Sequence, residues 1–423
     1  MFEHSERTND LKARLAAFME QHIYPHEQEY AAQREAASER FAPLPLVEEL
    51  KALARAEGLW NLFVPPAFAG FSPQAGLSNF DYAPLAEMMG RVLWSAEVFN
   101  CGAPDTGNME VLMKYATREQ QERWLEPLLS GEIRSSYAMT EPQVASSDAT
   151  NIELRIERDH DQWVLNGRKW FITGAMNTQT QLFIVMGKSD PDNPDRHKQQ
   201  TQVLVPRDTP GLTLVRPLTT LGYDDAPLGH AEILFEDVRV PVDHVLLGEG
   251  RGFEIAQGRL GPGRMHHCMR LLGAAQRSLE LACRRADSRS TFGRQLSQHQ
   301  SVREDIARSF SEIEMARLLV LKTCRKMDEV GAQEARDMIA ACKTSVPLMV
   351  QTIIDRCMQI HGAGGLSGDY FMAEAFNYAR WCRLADGPDE VHCRAIARME
   401  FARHAPSPDA DPGFSSGDMG ATR

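Results

Sequence analysis

Residues 135–174 read SSYAMTEPQVASSDATNIELRIERDHDQWVLNGRKWFITG, and this stretch decides the fold. Within it, IELRIE (Ile152 to Glu157) and WVLNGRKWFIT (Trp163 to Thr173) are patterned as strands. Asn166-Gly167 lies between two apolar and aromatic runs and predicts a hairpin turn, because a type I′ turn needs positive φ at both central positions. A β-region therefore begins near Ser135.

Two more segments continue the strand pattern, LFIVMG (182–187) and AEILFEDVRV (231–240). Helical periodicity flanks the β-region on both sides. It runs from Asp10 to about Leu129, and it returns after Gly252 over 265–285, 301–330, 332–359 and 370–383. The pattern predicts an α+β protein with an N-terminal α-helical domain (1–134), a middle antiparallel β-domain (135–247) and a C-terminal α-domain (248–405) resembling a four-helix bundle. Residues 406–423 are rich in Pro, Gly, Ser and Asp, which predicts a disordered tail.

Composition narrows the class of partner. With 423 residues the chain exceeds the size at which a single core stops growing, so several packed units are expected. The formal net charge of −12 argues against nucleic-acid binding, which needs clustered Lys and Arg. A small-molecule partner fits better.

Cysteine spacing and the N-terminus indicate the compartment. The eight cysteines form no CxxC pair and no zinc-like spacing with His, so buried free thiols are expected, without a metal or a disulfide framework. Residues 1–21 mix acids with bases and contain no apolar block, so neither a signal nor a transit peptide is expected. No stretch approaches the roughly 18 apolar residues of a membrane span. A cytoplasmic protein is predicted.

Four segments carry groups suited to a flat, phosphate-bearing ligand. Residues 137–148 and 170–174 offer hydroxyls, backbone amides and an indole; residues 288–300 offer Arg, hydroxyl, aromatic and amide groups; residues 359–365 offer glycines that allow close backbone approach. Taken alone, the first three segments are better explained as a polar turn, a core aromatic and a solvated basic loop. The fourth segment follows no strand, so it is not a Rossmann fingerprint.

Together, in this order and within an α, β, α frame, the four segments resemble the acyl-CoA dehydrogenase family over roughly residues 10–405. The family motifs TEP…SD, W-x-T-G/N, R-x-T-F-G…L…HQ and Q-x-x-G-G/A-x-G correspond to them, and FEDVRVP (235–241) is also typical. MTEPQVASSDATNIE (139–153) and LADGPDEVH (384–392) are most similar to the branch that includes mammalian family members ten and eleven.

The resemblance implies FAD as cofactor and α,β-dehydrogenation of an acyl-CoA to the trans-2-enoyl-CoA, as in fatty acid β-oxidation. It further implies electron-transferring flavoprotein as acceptor and a homodimer or homotetramer. The FAD contacts that it implies are Met139, Thr140, Ser147, Trp170 and Thr173 around the flavin, and Arg289, Phe292, Gln300, Gln359, Gly362 and Glu390 toward the adenosine, with Arg289, Phe292 and Gln300 reaching the FAD of a neighbouring subunit. Arg264 and Gly387 are implied to contact substrate.

The catalytic base is the main departure from the family pattern. The usual Glu-Gly-Thr appears here as Asp386-Gly387-Pro388, so the predicted base is Asp386, with Asp389 and Glu390 in reserve. The prediction is that Asp386 takes the α-proton while hydride passes from Cβ to flavin N5, and that an apolar pocket raises the Asp pKa. The segment from Thr140 to Asp148 is one residue longer than usual, and Ser147 aligns better than Ser146 with the family serine.

Three other functions fit the same patterns. Flavin oxidases of this fold, of the acyl-CoA or nitroalkane oxidase type, can pass electrons to oxygen, and some use an Asp base. A relative linked to alkylation response binds DNA, but the acidic balance of this chain counts against that role. A flavin-free homologue is disfavoured because the cofactor motifs are retained.

Overall fold

A computed structural model describes residues 3–405; the predicted disordered tail at 406–423 lies outside the described residues. The first region is helical, as predicted. Ser5 caps the first helix by accepting a hydrogen bond from the Thr8 N–H, and Thr117 with Gln120 forms a capping box, so polar residues begin these helices. The helices are α1 (Glu6–Phe18), α2 (Glu27–Ala36), α3 (Pro45–Ala56), α4 (Asn79–Met89), α5 (Ser95–Val98), α6 (Asp105–Tyr115), α7 (Arg118–Gln120) and α8 (Glu126–Ser130).

The middle region is a seven-stranded sheet in the order β1-β4-β2-β3-β7-β6, with β5 on β4. Its strands are β1 (Arg134–Ala138), β2 (Arg155–Asp159), β3 (Gln162–Thr173), β4 (Thr180–Lys188), β5 (Gln200–Pro206), β6 (Leu212–Leu218) and β7 (His230–Pro241). Most pairs are antiparallel, but β1 and part of β2 pair with β4 in parallel. The long connection between β1 and β4, which contains β2 and β3, permits this parallel pairing.

The hairpin prediction at Asn166-Gly167 is wrong. These residues lie inside β3, and the hairpin between β2 and β3 turns at His160-Asp161, where His160 has φ 56°. Gly167 sits at a register shift with φ 149°, and a Cβ there would lie 2.9 Å from Leu154. The glycine therefore does not form a turn. It allows an irregular part of β3 to pass close to the neighbouring chain.

The C-terminal region is helical again and contains α9 (Gly252–Ser288), α10 (Gln300–Glu334), α11 (Arg336–His361), α12 (Met372–Trp381) and α13 (Asp389–Arg403), with a two-stranded ribbon of β8 (Ser290–Thr291) and β9 (Arg294–Gln295) between α9 and α10. Helices α9, α10 and α11 pack against one another, and α12 and α13 pack on α11. The four predicted helical runs correspond to α9–α12. The predicted domain divisions at 134/135 and 247/248 stay predictions.

The two helical regions share one hydrophobic core, although the sheet separates them in sequence. Phe18 and Leu85 from the first region are buried in the same cluster as Met269 and Ile353 from the last, and the sheet has a second core of its own. Helix α4 touches α9 so closely that a Cβ on Gly273 would lie 1.9 Å from the Glu87 carbonyl oxygen. This contact fixes α9 against the N-terminal region.

The buried free thiols were predicted correctly for six positions, Cys101, Cys268, Cys324, Cys342, Cys357 and Cys382; Cys283 is partly buried and Cys393 is exposed. Among residues 3–405, no helix combines the length and hydrophobicity needed to cross a bilayer.

Candidate active site

A large cavity of about 2180 Å³ opens between the sheet, helices α2, α3 and α6 of the first region, and helices α9, α11, α12 and α13 of the last. It exceeds the roughly 300–1,000 Å³ of common ligand pockets, so it has room for more than one small ligand. Eight of the predicted site residues line it: Met139, Thr140, Ser147, Trp170, Thr173, Arg264, Asp386 and Gly387.

A buried ion pair fixes the chain that follows β1. Lys169, fully buried on β3, donates from Nζ to the Glu141 carboxylate and to the Met139 carbonyl, both at 2.8 Å. The same carboxylate accepts the backbone N–H groups of Glu153 and Leu154 at 2.8 and 2.9 Å. Burial lowers the pKa of Lys169 to about 8, while Glu141 opposes that shift. The network holds residues 139–141 rigidly at the cavity wall.

The two candidate serines differ in their availability. Ser146 Oγ accepts the Glu141 N–H at 2.8 Å and so stabilises the turn. Ser147 is exposed and lines the cavity, and its hydroxyl has no partner among the hydrogen bonds of the described residues. Its hydroxyl is therefore the one free to meet a ligand.

Trp170 and Thr173 lie on β3, on the same side of the cavity. Trp170 exchanges hydrogen bonds with Thr140, whose hydroxyl donates to the Trp170 carbonyl at 2.6 Å. Thr173 Oγ1 lies 3.1 Å from His230 Nδ1, and His230 Nε2 lies 2.6 Å from Asp225 Oδ2. This hydroxyl–imidazole–carboxylate chain orients the Thr173 hydroxyl at the cavity wall.

Asp386 lies in the short connection between α12 and α13. Its φ of +55° is in the left-handed region, which Asp tolerates better than most residues, and Gly387 follows at φ +103°. Two cations from neighbouring helices, the buried Lys343 and the partly buried Arg264, hold this connection. Lys343 Nζ donates to the carbonyls of Cys382 and, at 2.9 Å, Ala385, and Arg264 Nε donates to the Asp386 carbonyl at 2.8 Å.

The predicted rise in the Asp386 pKa is wrong. Burial raises the pKa, but the adjacent His267 ring and the positive charges of Arg259, Lys343 and Arg264 together hold it below its usual value. The pocket is therefore not simply apolar: cations from α9 and α11 face the carboxylate and favour its ionised form. An ionised carboxylate is the form that can accept a proton.

The reserve candidates differ from Asp386 in position. Asp389 Oδ2 accepts a hydrogen bond from Arg383 Nε at 2.8 Å, and Glu390 is exposed; neither lines the cavity. Of the three candidate carboxylates, Asp386 is the one at the cavity wall.

The other predicted cofactor residues lie elsewhere. Arg289, Phe292 and Gln300 are exposed at the end of α9, in the ribbon turn and at the start of α10, respectively, with Phe292 94% exposed and at φ 49°. Gln359 and Gly362 are exposed at the end of α11. None of these five residues lines the cavity, nor does Glu390. One chain therefore does not bring the two sets of predicted FAD contacts together.

Sequence reasoning missed three residues that face Asp386: Arg259, His267 and Lys343. His267 Nε2 lies 3.7 Å from Asp386 Oδ2. Spacing on α9 could have found it, because His267 is three residues after Arg264 and shares its face of the helix. Lys343 gives no such signal, since α11 meets the 382–386 segment only in the folded chain.

The donor set fits a flavin. One wall of the cavity carries hydroxyls and an indole, and the facing connection carries a carboxylate surrounded by cations. Thr140, Ser147, Trp170 and Thr173 would hold a flat ring with polar edges, and the Asp386 carboxylate would be available to a thioester in the same cavity. The volume allows both.

Comparison with known proteins defines the class of protein. A Mycobacterium abscessus structure described as an acyl-CoA dehydrogenase superposes with a TM-score of 0.92 at 47% identity, covering 96% of this chain and 100% of that chain. Butyryl-CoA dehydrogenase from Megasphaera elsdenii, 24% identical with a TM-score of 0.79 over 95% of this chain and 100% of its own, shares the fold. The fold is that of acyl-CoA dehydrogenases.

The sequence matches the acyl-CoA dehydrogenase N-terminal domain over residues 5–132, the middle domain over 136–238 and the C-terminal domain over 250–400. The chain belongs to the acyl-CoA dehydrogenase family. It is 52% identical to mouse acyl-CoA dehydrogenase family member 10 over 94% of this chain and 37% of that protein. It is 50% identical to chicken family member 11 over 95% of this chain and 51% of that protein.

The chain thus spans about half or less of these two relatives. Against the Mycobacterium tuberculosis protein described as probable acyl-CoA dehydrogenase FadE2 it is 48% identical, over 95% of this chain and 97% of that protein. The predicted branch of the family is confirmed.

Proposed function

We propose that the protein binds FAD and dehydrogenates an acyl-CoA thioester to the trans-2-enoyl-CoA, with Asp386 as the base. The observation that carries this proposal is Asp386 at the wall of the cavity that the polar residues after β1 and on β3 also line, with positively charged side chains around the carboxylate. Bound FAD would accept the hydride at this site.

The residues of the chain have separate tasks in this proposal. Thr140, Ser147, Trp170 and Thr173 hold the flavin, and Met139 packs beside it. Asp386 removes the α-proton. Lys343 and Arg264 hold the backbone of the 382–386 segment, so the shorter Asp side chain is presented by a fixed connection. Arg259 and Arg264 also bring positive charge near the developing enolate, which stabilises it.

The exposed ribbon requires a partner subunit. We propose that Arg289, Phe292 and Gln300 bind the adenosine half of the FAD in a neighbouring copy of the chain, with Gln359 and Gly362 in the same clamp, as a homodimer or homotetramer. Their exposure and their absence from the cavity wall support this. Light scattering on the FAD-loaded protein tests the assembly, and a monomer that retains FAD would contradict it.

The test of the reaction is anaerobic mixing of the purified protein with a panel of acyl-CoAs of varied length, branching and 4-hydroxy substitution. We expect one FAD per chain and bleaching of the flavin absorbance by at least one acyl-CoA. A colourless protein that does not take up FAD would refute the proposal.

The electron acceptor is tested once the bound flavin has been reduced. We propose electron-transferring flavoprotein, and mixing reduced protein with it or with air-saturated buffer separates a dehydrogenase from an oxidase. An Asp base alone fits both, so rapid reoxidation by oxygen with formation of peroxide would identify the oxidase.

A further inference from the structure

His267 lies beside the proposed base and has no part in the reaction described so far. It projects from α9 into the cavity wall and is buried. Its Nε2 is 3.7 Å from Asp386 Oδ2, slightly beyond hydrogen-bond length. Hydrogen bonds of catalytic groups are often long without ligand and shorten when substrate binds.

The other ring nitrogen determines where the imidazole hydrogen is. Arg270 Nη2 lies 3.5 Å and Tyr378 Oη 2.9 Å from His267 Nδ1. An arginine can only donate, so Nδ1 accepts and the ring hydrogen is on Nε2, which faces Asp386. Arg270 is itself fixed, because its Nη1 donates to the Cys101 carbonyl at 3.2 Å.

The same surroundings keep His267 uncharged. Burial, and then the charge of Arg270, lower the pKa of His267 to about 3, although Asp386 opposes this shift. Lys343 and His266 also disfavour the imidazolium. At neutral pH the ring is therefore a neutral hydrogen-bond donor.

We infer that His267 is the positioning residue of the base: its Nε2–H holds Asp386 Oδ2 and leaves Oδ1 directed at the substrate α-carbon. The inference rests on the proposed function. When the α-carbon C–H bond breaks, the proton forms a new O–H bond on Asp386, and bound FAD would supply the acceptor for the hydride from Cβ. His267 does not take up that proton, because Arg270 already faces the nitrogen that would become the second N–H.

The other charged and titratable groups around Asp386 have different tasks. They are Arg259 and Arg264 from α9, Lys343 from α11, His392 from α13, Tyr137 from β1 and Cys268 and Cys382 from α9 and α12. Arg264 and Lys343 donate to backbone carbonyls of the 382–386 segment. A variant of His267 therefore changes the carboxylate's nearest side-chain donor and leaves the backbone support in place.

The experiment compares His267→Leu, which removes the donor, with His267→Gln, whose amide nitrogen stands at the same distance along the side chain as Nε2. Tyr378→Phe is the control, because Arg270 still fixes Nδ1 as an acceptor. Each FAD-loaded variant is assayed for flavin reduction across pH. Each is also assayed for solvent exchange of the α-proton of an acyl-CoA analogue with sulfur at the β-position, which reports the base without hydride transfer.

For His267→Leu we expect both rates to fall roughly tenfold to a hundredfold, the worth of a hydrogen bond to a charged group, and the acid limb of the pH profile to move to higher pH. FAD content should be unchanged. His267→Gln should recover most of the rate, and Tyr378→Phe should stay near the parental values.

The inference would be overturned if the Leu and Gln variants lose the same amount of rate. It would also be overturned if the Leu variant keeps the parental rates and the parental acid limb of the pH profile. If the Leu variant does not hold FAD, His267→Met repeats the comparison with a side chain that lacks a donor. Failure of the proposed function looks different: the parental protein itself would neither be bleached by acyl-CoAs nor exchange the α-proton.

Discussion

The two ends of the C-terminal helical region carry the two halves of the predicted FAD site. Arg264 and Asp386 are at one end, at the cavity. Arg289 and Phe292 are at the other end, on an exposed ribbon. Arg264 and Arg289 are 25 residues apart on and just beyond α9, so at 1.5 Å per residue they stand about 37 Å apart.

The two ends differ in how many buried contacts hold their side chains in place. At the cavity, side chains are held by buried partners, such as Lys169 by Glu141 and the Asp386 backbone by Arg264. On the ribbon, Phe292 is 94% exposed and packs on nothing comparable. The first end is organised by buried contacts within one chain, whereas the second is exposed and has no such contacts.

The largest effect should come from the cavity end. Asp386→Asn keeps the size of the side chain and removes the base, so flavin reduction by acyl-CoA should fall about 10²-fold to 10⁴-fold while FAD binding survives. Anaerobic stopped-flow absorbance measures it, with Asp389→Asn and Glu390→Gln as matched controls. If the Asp386 variant is reduced at the rate of the parental protein while one control is inactive, the base is instead the residue changed in that control, on the first turn of α13.

The support of the cavity wall can be removed separately. Lys169→Met leaves the Glu141 charge buried and unpaired, which should cost about 3–5 kcal/mol of stability. Thermal unfolding of the FAD-free protein measures the loss. The double variant Lys169→Met with Glu141→Gln should recover part of it, and an unchanged unfolding temperature in the single variant would mean that this wall is not rigidly held.

A moderate effect is expected at the ribbon. Phe292→Ala should weaken FAD binding roughly tenfold, the worth of stacking on an adenine ring, without lowering the unfolding temperature of the FAD-free protein. Phe401→Ala is the matched control, because Phe401 is also exposed, at 77%. Equal FAD affinity in both variants would break the contrast between the two ends.

The smallest expected effect is in the pH profile. Because the pKa of Asp386 lies below its usual value, its carboxylate stays ionised as pH falls, until pH passes below the ordinary Asp range near about 3.9. The acid limb of kcat/KM for flavin reduction, which reports the free protein, should therefore lie below that range. An acid limb near pH 6 would mean instead that an apolar pocket raises the pKa of Asp386.

Much of the fold could be predicted from the sequence. The periodicity of 265–285 and 301–330 placed α9 and α10, because helices this long bury a regular stripe of residues. The prediction of a hairpin at Asn166-Gly167 was wrong because the same pair of residues also suits a close contact between strands. Local sequence does not distinguish a turn from such a contact. The parallel pairing of β1 with β4 was missed, since strand direction depends on partners far along the chain.

The sequence by itself determined the family, the three structural regions and the identity of Asp386 as the candidate base, because motifs and periodicity are written in consecutive residues. Only the tertiary structure decided which polar and charged groups surround that base. Arg259, His267 and Lys343 come from α9 and α11, more than 40 residues before Asp386, and they meet it because the helices pack. Burial and neighbouring charge act through space, so the direction of the Asp386 pKa could not be deduced from the order of residues along the chain.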